Sequence, residues 1–194
     1  MAEVYPIRLY GDPILRKRAR PVEDFSIIPE LAENMFETMF EARGVGLAAP
    51  QIGLSLRLFV AAQYREEEEE GEELKSRVEE LYVFVNPVIK FQEGEEAGLE
   101  GCLSIPGLYS DEVPRGQRLR VEYQDEHGLP RVLEAEGYLA RVIQHEYDHL
   151  NGVLFFQRLP PPLREEFLTE HREALTEMQR KAREYLKREK AKEP

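Results

Sequence analysis

In this chain of 194 residues, the stretch ARVIQHEYDHLNG (140–152) most tightly constrains the fold. Leu139, Val142, Ile143 and Leu150 are apolar positions of a helix expected from about Tyr138 to Leu150, and Asn151 and Gly152 supply a C-terminal stop. These apolar flanks predict an interior helix, yet the same segment carries His145, Glu146 and His149. At roughly 3.6 residues per turn, positions i and i+4 differ by only about 40° around the axis, so the two imidazoles point the same way. Two rings and a carboxylate beside a core are costly unless something satisfies them, and a divalent cation does. The alternative, three polar residues on an outer helix face, does not suit those flanks. Glu146 projects beside the pair, placed to act as a base on water rather than as a third ligand.

The remaining segments must wall in that helix. Leu31, Met35, Phe36 and Met39 recur at helical spacing between about Pro29 and Arg43, with Gly44 as the stop. LRLFVAA (56–62) and LYVFVNP (81–87) are rich in Val, Phe and Leu and read as strands. Between them the run Glu66–Glu70 cannot sit in a core, so it is expected as a solvated excursion, with a short helix over Glu72–Glu80. RLRVEYQD (118–125) and RVLEAEG (131–137) predict a hairpin turning at His127 and Gly128. The fold class expected is α+β: a single domain with small mixed or antiparallel sheets around a central metal-binding helix. Residues 1–160 would form the catalytic unit. Residues 161–194 would form a charged C-terminal helix from about Leu163, docked mainly through its first half.

A third metal ligand is needed. The only thiol is Cys102, in the Gly-flanked LEGCLSIPGLY; alone, a cysteine reads as a small buried hydrophobe, but two histidines in want of a partner favour ligation. Cysteine and two histidines would form an open, catalytic type of site, and the thiolate suits Fe(II) as well as Zn(II). GVGLAAPQIG (44–53) reads by itself as a tight loop, with small residues that allow close approach and with Gln51 as an amide donor.

Together, the GVGLAAPQ, EGCLS and QHEYDHL stretches resemble, in order, the three motifs of the peptide deformylases. The likeness extends to YGDPILRKRARPVEDF and the NP of FVNPVIKF, spanning roughly residues 5–160. The resemblance implies removal of the formyl group from the initiator N-formylmethionine of nascent polypeptides. It implies Cys102, His145 and His149 as metal ligands, with Fe2+ first and Zn2+ or Ni2+ tolerated. Glu146 would be the catalytic acid/base, and the Gln51 side chain and Leu103 backbone N–H would hold the oxyanion. The Gly46 backbone would position substrate, and Val45, Tyr138 and Val142 would line the methionine pocket. Arg141 departs from the smaller apolar residue often found at its position, and PGLY (106–109) lacks the basic residue some members carry.

A net charge of −12 argues against general affinity for nucleic acid or anionic membranes. Between Arg180 and Lys192, however, seven basic residues face two acidic ones, which suggests either a ribosomal contact or cations complementing a helix end. One cysteine excludes an internal disulfide, and no export signal or bilayer-length apolar run is apparent, so a cytoplasmic setting is expected. Two rivals stand beside the deformylase reading. One is a metallopeptidase whose third ligand is Glu165, Glu166 or Glu170. The other is a noncatalytic ribosome-associated metal protein.

Overall fold

The computed structural model describes residues 2–66 and 70–193. The expectation for Glu66–Glu70 therefore lies largely outside the described residues.

The fold is organised by strand alternation. Helix α1 (Ile28–Glu41) begins with Pro29 in its first turn, and Ile28, Leu31, Ala32, Met35 and Met39 form its buried face. Strand β1 (Gly46–Ala48) pairs antiparallel with β2 (Leu58–Tyr64), whose first five residues are all buried. Successive strand side chains point to opposite faces. Accordingly, Leu58, Val60 and Ala62 join the core under α1, while Phe59 and Ala61 join the core under the metal-type helix α2 (Gly137–Leu150). Strand β3 (Val78–Glu93) repeats the division, sending Val83 and Val85 to the first core and Tyr82 and Phe84 to the second. Phe59 and Phe84 stack with centroids 4.6 Å apart, and truncating either to Ala would cost about 3–5 kcal/mol.

Strands β6 (Arg118–Gln124) and β7 (Pro130–Glu136) complete a five-stranded antiparallel sheet in the order β1-β2-β3-β6-β7. Asp125 organises their turn, its Oδ1 accepting the N–H groups of His127 and Leu129. A separate hairpin pairs β4 (Glu96–Cys102) with β5 (Ile105–Arg115). Its residues Ile105, Leu108 and Val113 form a third core with Phe155, Phe156 and the C-terminal helices.

Two expectations need correction, and one segment left unassigned gains a place. The helix anticipated over Glu72–Glu80 is a single 3-10 turn, Leu74–Arg77, because β3 begins at Val78 and runs on to Glu93. The Gly-flanked segment that carries Cys102, to which the sequence assigns no element, is a hairpin. The C-terminal helix is two helices, α3 (Pro161–Glu170) and α4 (Arg172–Ala191), broken at His171 with φ −104° and ψ 16°. That break lets Phe167 from one helix and Leu175, Met178 and Ala182 from the other all reach the interior.

Candidate metal and substrate site

Helix α2 presents its polar residues inward. His145, Glu146 and His149 are all buried, and the two imidazole centroids are 5.0 Å apart. Cys102 ends β4, next to the turn that leads into β5, and its Sγ lies 3.4 Å from His149 Nε2. One donor atom each from Cys102, His145 and His149 lies within 4.8 Å of the others, close enough to share one cation.

The surrounding hydrogen bonds choose which ring atom faces this centre. His145 Nδ1 lies 2.8 Å from Glu100 Oε1, so the imidazole donates there and keeps Nε2 for a metal. Glu100 is in turn held by Arg115, whose Nε and second guanidinium nitrogen reach the two carboxylate oxygens at 2.8 and 2.9 Å. Arg115 also donates to Asp148 at 2.6 Å, and Arg158 closes on both Asp148 oxygens. A run of charges thus backs the site, with Glu100, Arg115 and Asp148 buried and each carboxylate matched by guanidinium donors.

These surroundings set the protonation of each group. Burial is the largest influence on Glu100 and opposes its charge, but hydrogen bonds from Arg115 and His145 outweigh it and hold the carboxyl down to about 2. For Glu146 burial prevails over the attraction of His145, and its carboxyl is pushed up to about 7. Burial also opposes charge on His145, yet Glu146, Cys102 and Glu100 raise that ring well above the usual imidazole value. His149 is driven well below it by burial, with His145 and Arg115 adding to the effect.

In front of the donors opens a cavity of about 450 Å³. Its wall includes Cys102, His145, Glu146, Gln51 and Leu103, and also Val45, Gly46, Tyr138 and Val142. Every residue expected at the site is therefore brought to one place, with His149 fully buried behind the others. Gln51 Oε1 accepts the Ala48 N–H at 2.9 Å, which leaves its Nε2 facing Cys102 Sγ at 3.6 Å and Ser104 Oγ at 3.1 Å. Gly46 belongs to β1, one of the two edge strands of the sheet. Arg141 lines the wall, but its guanidinium is turned to the Glu100 carboxylate and to the Glu96 and Val113 carbonyls. Its guanidinium is thereby held against the wall by these acceptors.

Sequence reasoning missed Glu100 and Arg115. Glu100 stands two residues before the cysteine in EGC, a spacing that puts both on one face of a strand; nothing local marks Arg115. Asp148 and Gln144, for which a surface role is as good an expectation as a supporting one, are both buried, and Gln144 exchanges hydrogen bonds with both backbone groups of Gly116. Glu165, Glu166 and Glu170, the ligands of the rival metallopeptidase reading, lie on α3 and do not join the donor group.

Comparison with known proteins identifies similar chains over most of this length. The family model for polypeptide deformylases matches residues 4–165. A peptide deformylase of Thermus thermophilus is 66% identical over 186 residues, covering 95% of this chain and 97% of that protein. A crystal structure of peptide deformylase from Thermus thermophilus superposes with a TM-score of 0.86 at 64% identity, over 92% of this chain and 99% of that one. The peptide deformylase of Thermotoga maritima, at 43% identity, gives a TM-score of 0.71 over 82% of this chain and 99% of its own.

Proposed function

The chain belongs to the peptide deformylase family, and we propose that it performs the family's hydrolysis with Glu146 as proton carrier and with Cys102, His145 and His149 as metal ligands. It is a hydrolase that removes the N-formyl group from nascent polypeptides, releasing formate. The observation that carries the residue assignment is the convergence of one thiol and two imidazoles within 4.8 Å beside a buried carboxylate.

The residues fit a cation. The donor set suits a divalent metal, and Glu146 Oε1 is buried with no hydrogen-bond partner among the described residues, on the side of the cavity where water and substrate would meet. Fe2+ is the proposed ion, as the resemblance to the family implies, and the donors suit Zn2+ and Ni2+ as well. When bound, the cation supplies Lewis acidity that makes hydroxide available near neutral pH and polarises the formyl carbonyl.

The chain's own groups do the rest. Glu146, buried beside the donor group, takes a proton as water adds to the formyl carbon. It then delivers that proton to the leaving nitrogen as the C–N bond breaks, so that a neutral amine departs. Gln51 Nε2 and the Leu103 N–H donate to the oxygen that gains charge, a contribution of about 3–4 kcal/mol for each well-placed donor. Gly46 offers the open edge of β1 to an extended peptide, and Val45, Tyr138 and Val142 receive the methionine side chain. Glu100 fixes the His145 ring through its contact with Nδ1.

Residues 1–160 are proposed as the catalytic unit, with 161–194 docked on it through Phe167, Leu175, Met178 and Ala182. The basic stretch of α4 is proposed to contact ribosomal RNA, which salt-sensitive cosedimentation with ribosomes would test. Among the described residues no helix is long and apolar enough to cross a membrane, and the proposed setting is the cytoplasm, where nascent chains emerge.

The test is formate release from formyl-Met-Ala-Ser by anaerobically purified protein, beside Glu146→Ala. The variant should retain its metal and lose turnover. A variant that keeps turnover would remove Glu146 from the mechanism, and a native protein without turnover would leave the noncatalytic alternative standing.

A further inference from the structure

We infer that Ser104 is a positioning residue for the reaction, holding the Gln51 amide so that one N–H points at the reacting centre; this rests on the oxyanion role given to Gln51 above. A primary amide has two donors and one acceptor in a single plane, and it can present either end by turning about its last side-chain bond. Here both choices are removed. The Ala48 N–H, 2.9 Å from Gln51 Oε1, requires an acceptor and so fixes which end is oxygen. Ser104 Oγ then accepts one Nε2 hydrogen at 3.1 Å, and planarity aims the second towards Cys102 Sγ, 3.6 Å from the nitrogen.

The serine is itself immobile. It is completely buried and does not belong to the cavity wall, so it cannot meet substrate. Its carbonyl accepts the Tyr10 N–H at 2.9 Å, while the Gln51 carbonyl accepts the Arg8 N–H at 2.7 Å. One short segment, residues 8–10, therefore fastens the backbones at both ends of the Gln51–Ser104 hydrogen bond. The turn containing Ser104 also carries Leu103 and follows directly on Cys102, so one short loop bears a metal ligand, a backbone donor and the anchor of the second donor. Removing the hydroxyl leaves a buried N–H without a partner and holds the amide only at its oxygen, by the Ala48 N–H, which loosens the direction of the remaining donor.

The test is a kinetic cycle of Ser104→Ala, Gln51→Ala and the double variant on formyl-Met-Ala-Ser, with metal content and thermal unfolding recorded for each. Ser104→Ala should lower kcat about tenfold while KM changes by less than about twofold, because the anchored donor acts in the transition state. In the Gln51→Ala background the same substitution should change kcat by less than about twofold. Ser104→Thr, which keeps the oxygen, should restore most of kcat. An equal loss in both backgrounds, or a Ser104→Ala protein that fails to fold, would make the serine purely structural and overturn the inference. Undiminished kcat in Gln51→Ala alone would instead overturn the role of Gln51 on which it rests.

Discussion

The Glu146 carboxylate lies directly against the Cα of Gly46. A Cβ at residue 46 would stand 2.7 Å from Glu146 Oε2 and 2.9 Å from its Cδ, closer than real Cβ contacts come. The glycine is there for the neighbour, since its backbone is not in the left-handed region. Gly46→Ala should therefore fold and bind metal normally while displacing the proton carrier, and kcat should fall by about 10²-fold. Steady-state kinetics with metal analysis checks this; unchanged kcat would mean that the carboxylate tolerates displacement.

Glu100 links acid stability to the site. Its carboxyl titrates at about 2 in the fold against 4.5 when free, so its stabilisation is fully present above about pH 4.5 and is lost as the pH falls towards 2. The shift corresponds to about 3 kcal/mol. In urea unfolding of metal-free protein, the stability gap between the native chain and Glu100→Gln should narrow steadily from about pH 5 to about pH 2. A gap independent of pH would contradict the assignment.

Helix α4 is fastened to the catalytic unit at Gly11. This residue has φ +103°, and a Cβ there would meet the Cα of Gln179 at 2.8 Å. Gly11→Val combines backbone strain with a collision against a helix and should lower stability by about 2–4 kcal/mol. Thermal denaturation reads the loss; an unchanged midpoint would show that the C-terminal helix is only loosely attached.

The sequence reveals the site better than the walls around it. Helix α2 is legible because its apolar flanks, its i, i+4 histidines and its Asn-Gly stop all agree on one period. The β4–β5 hairpin is not, because Gly98, Gly101, Pro106, Gly107 and Pro114 interrupt any strand-like alternation. Arg115 is invisible for a different reason: its partners Glu100 and Asp148 lie 15 and 33 residues away, and only the tertiary fold brings the three charges together. The break at His171 has no local signal either, since no glycine or proline marks it. There, burial of Phe167 beside Leu175 and Met178 outweighs helix continuity.

Removal of the cation should weaken the fold as well as abolish turnover. Cys102, His145 and His149 bring their donor atoms within 4.8 Å of one another, an arrangement that a bound cation stabilises. Chelated protein should unfold several degrees lower, on the order of the 1–3 kcal/mol expected when a bound ligand is lost. One equivalent of Fe(II), or of Zn(II), should restore the midpoint. Full stability without metal would contradict a resident cation.

X-ray absorption of the anaerobically loaded iron or zinc protein reads the ligand set directly. One sulfur at about 2.3 Å and two imidazole nitrogens at about 2.0–2.1 Å, with the sulfur lost in Cys102→Ser, is the predicted result. A coordination sphere without sulfur in the native protein would contradict it.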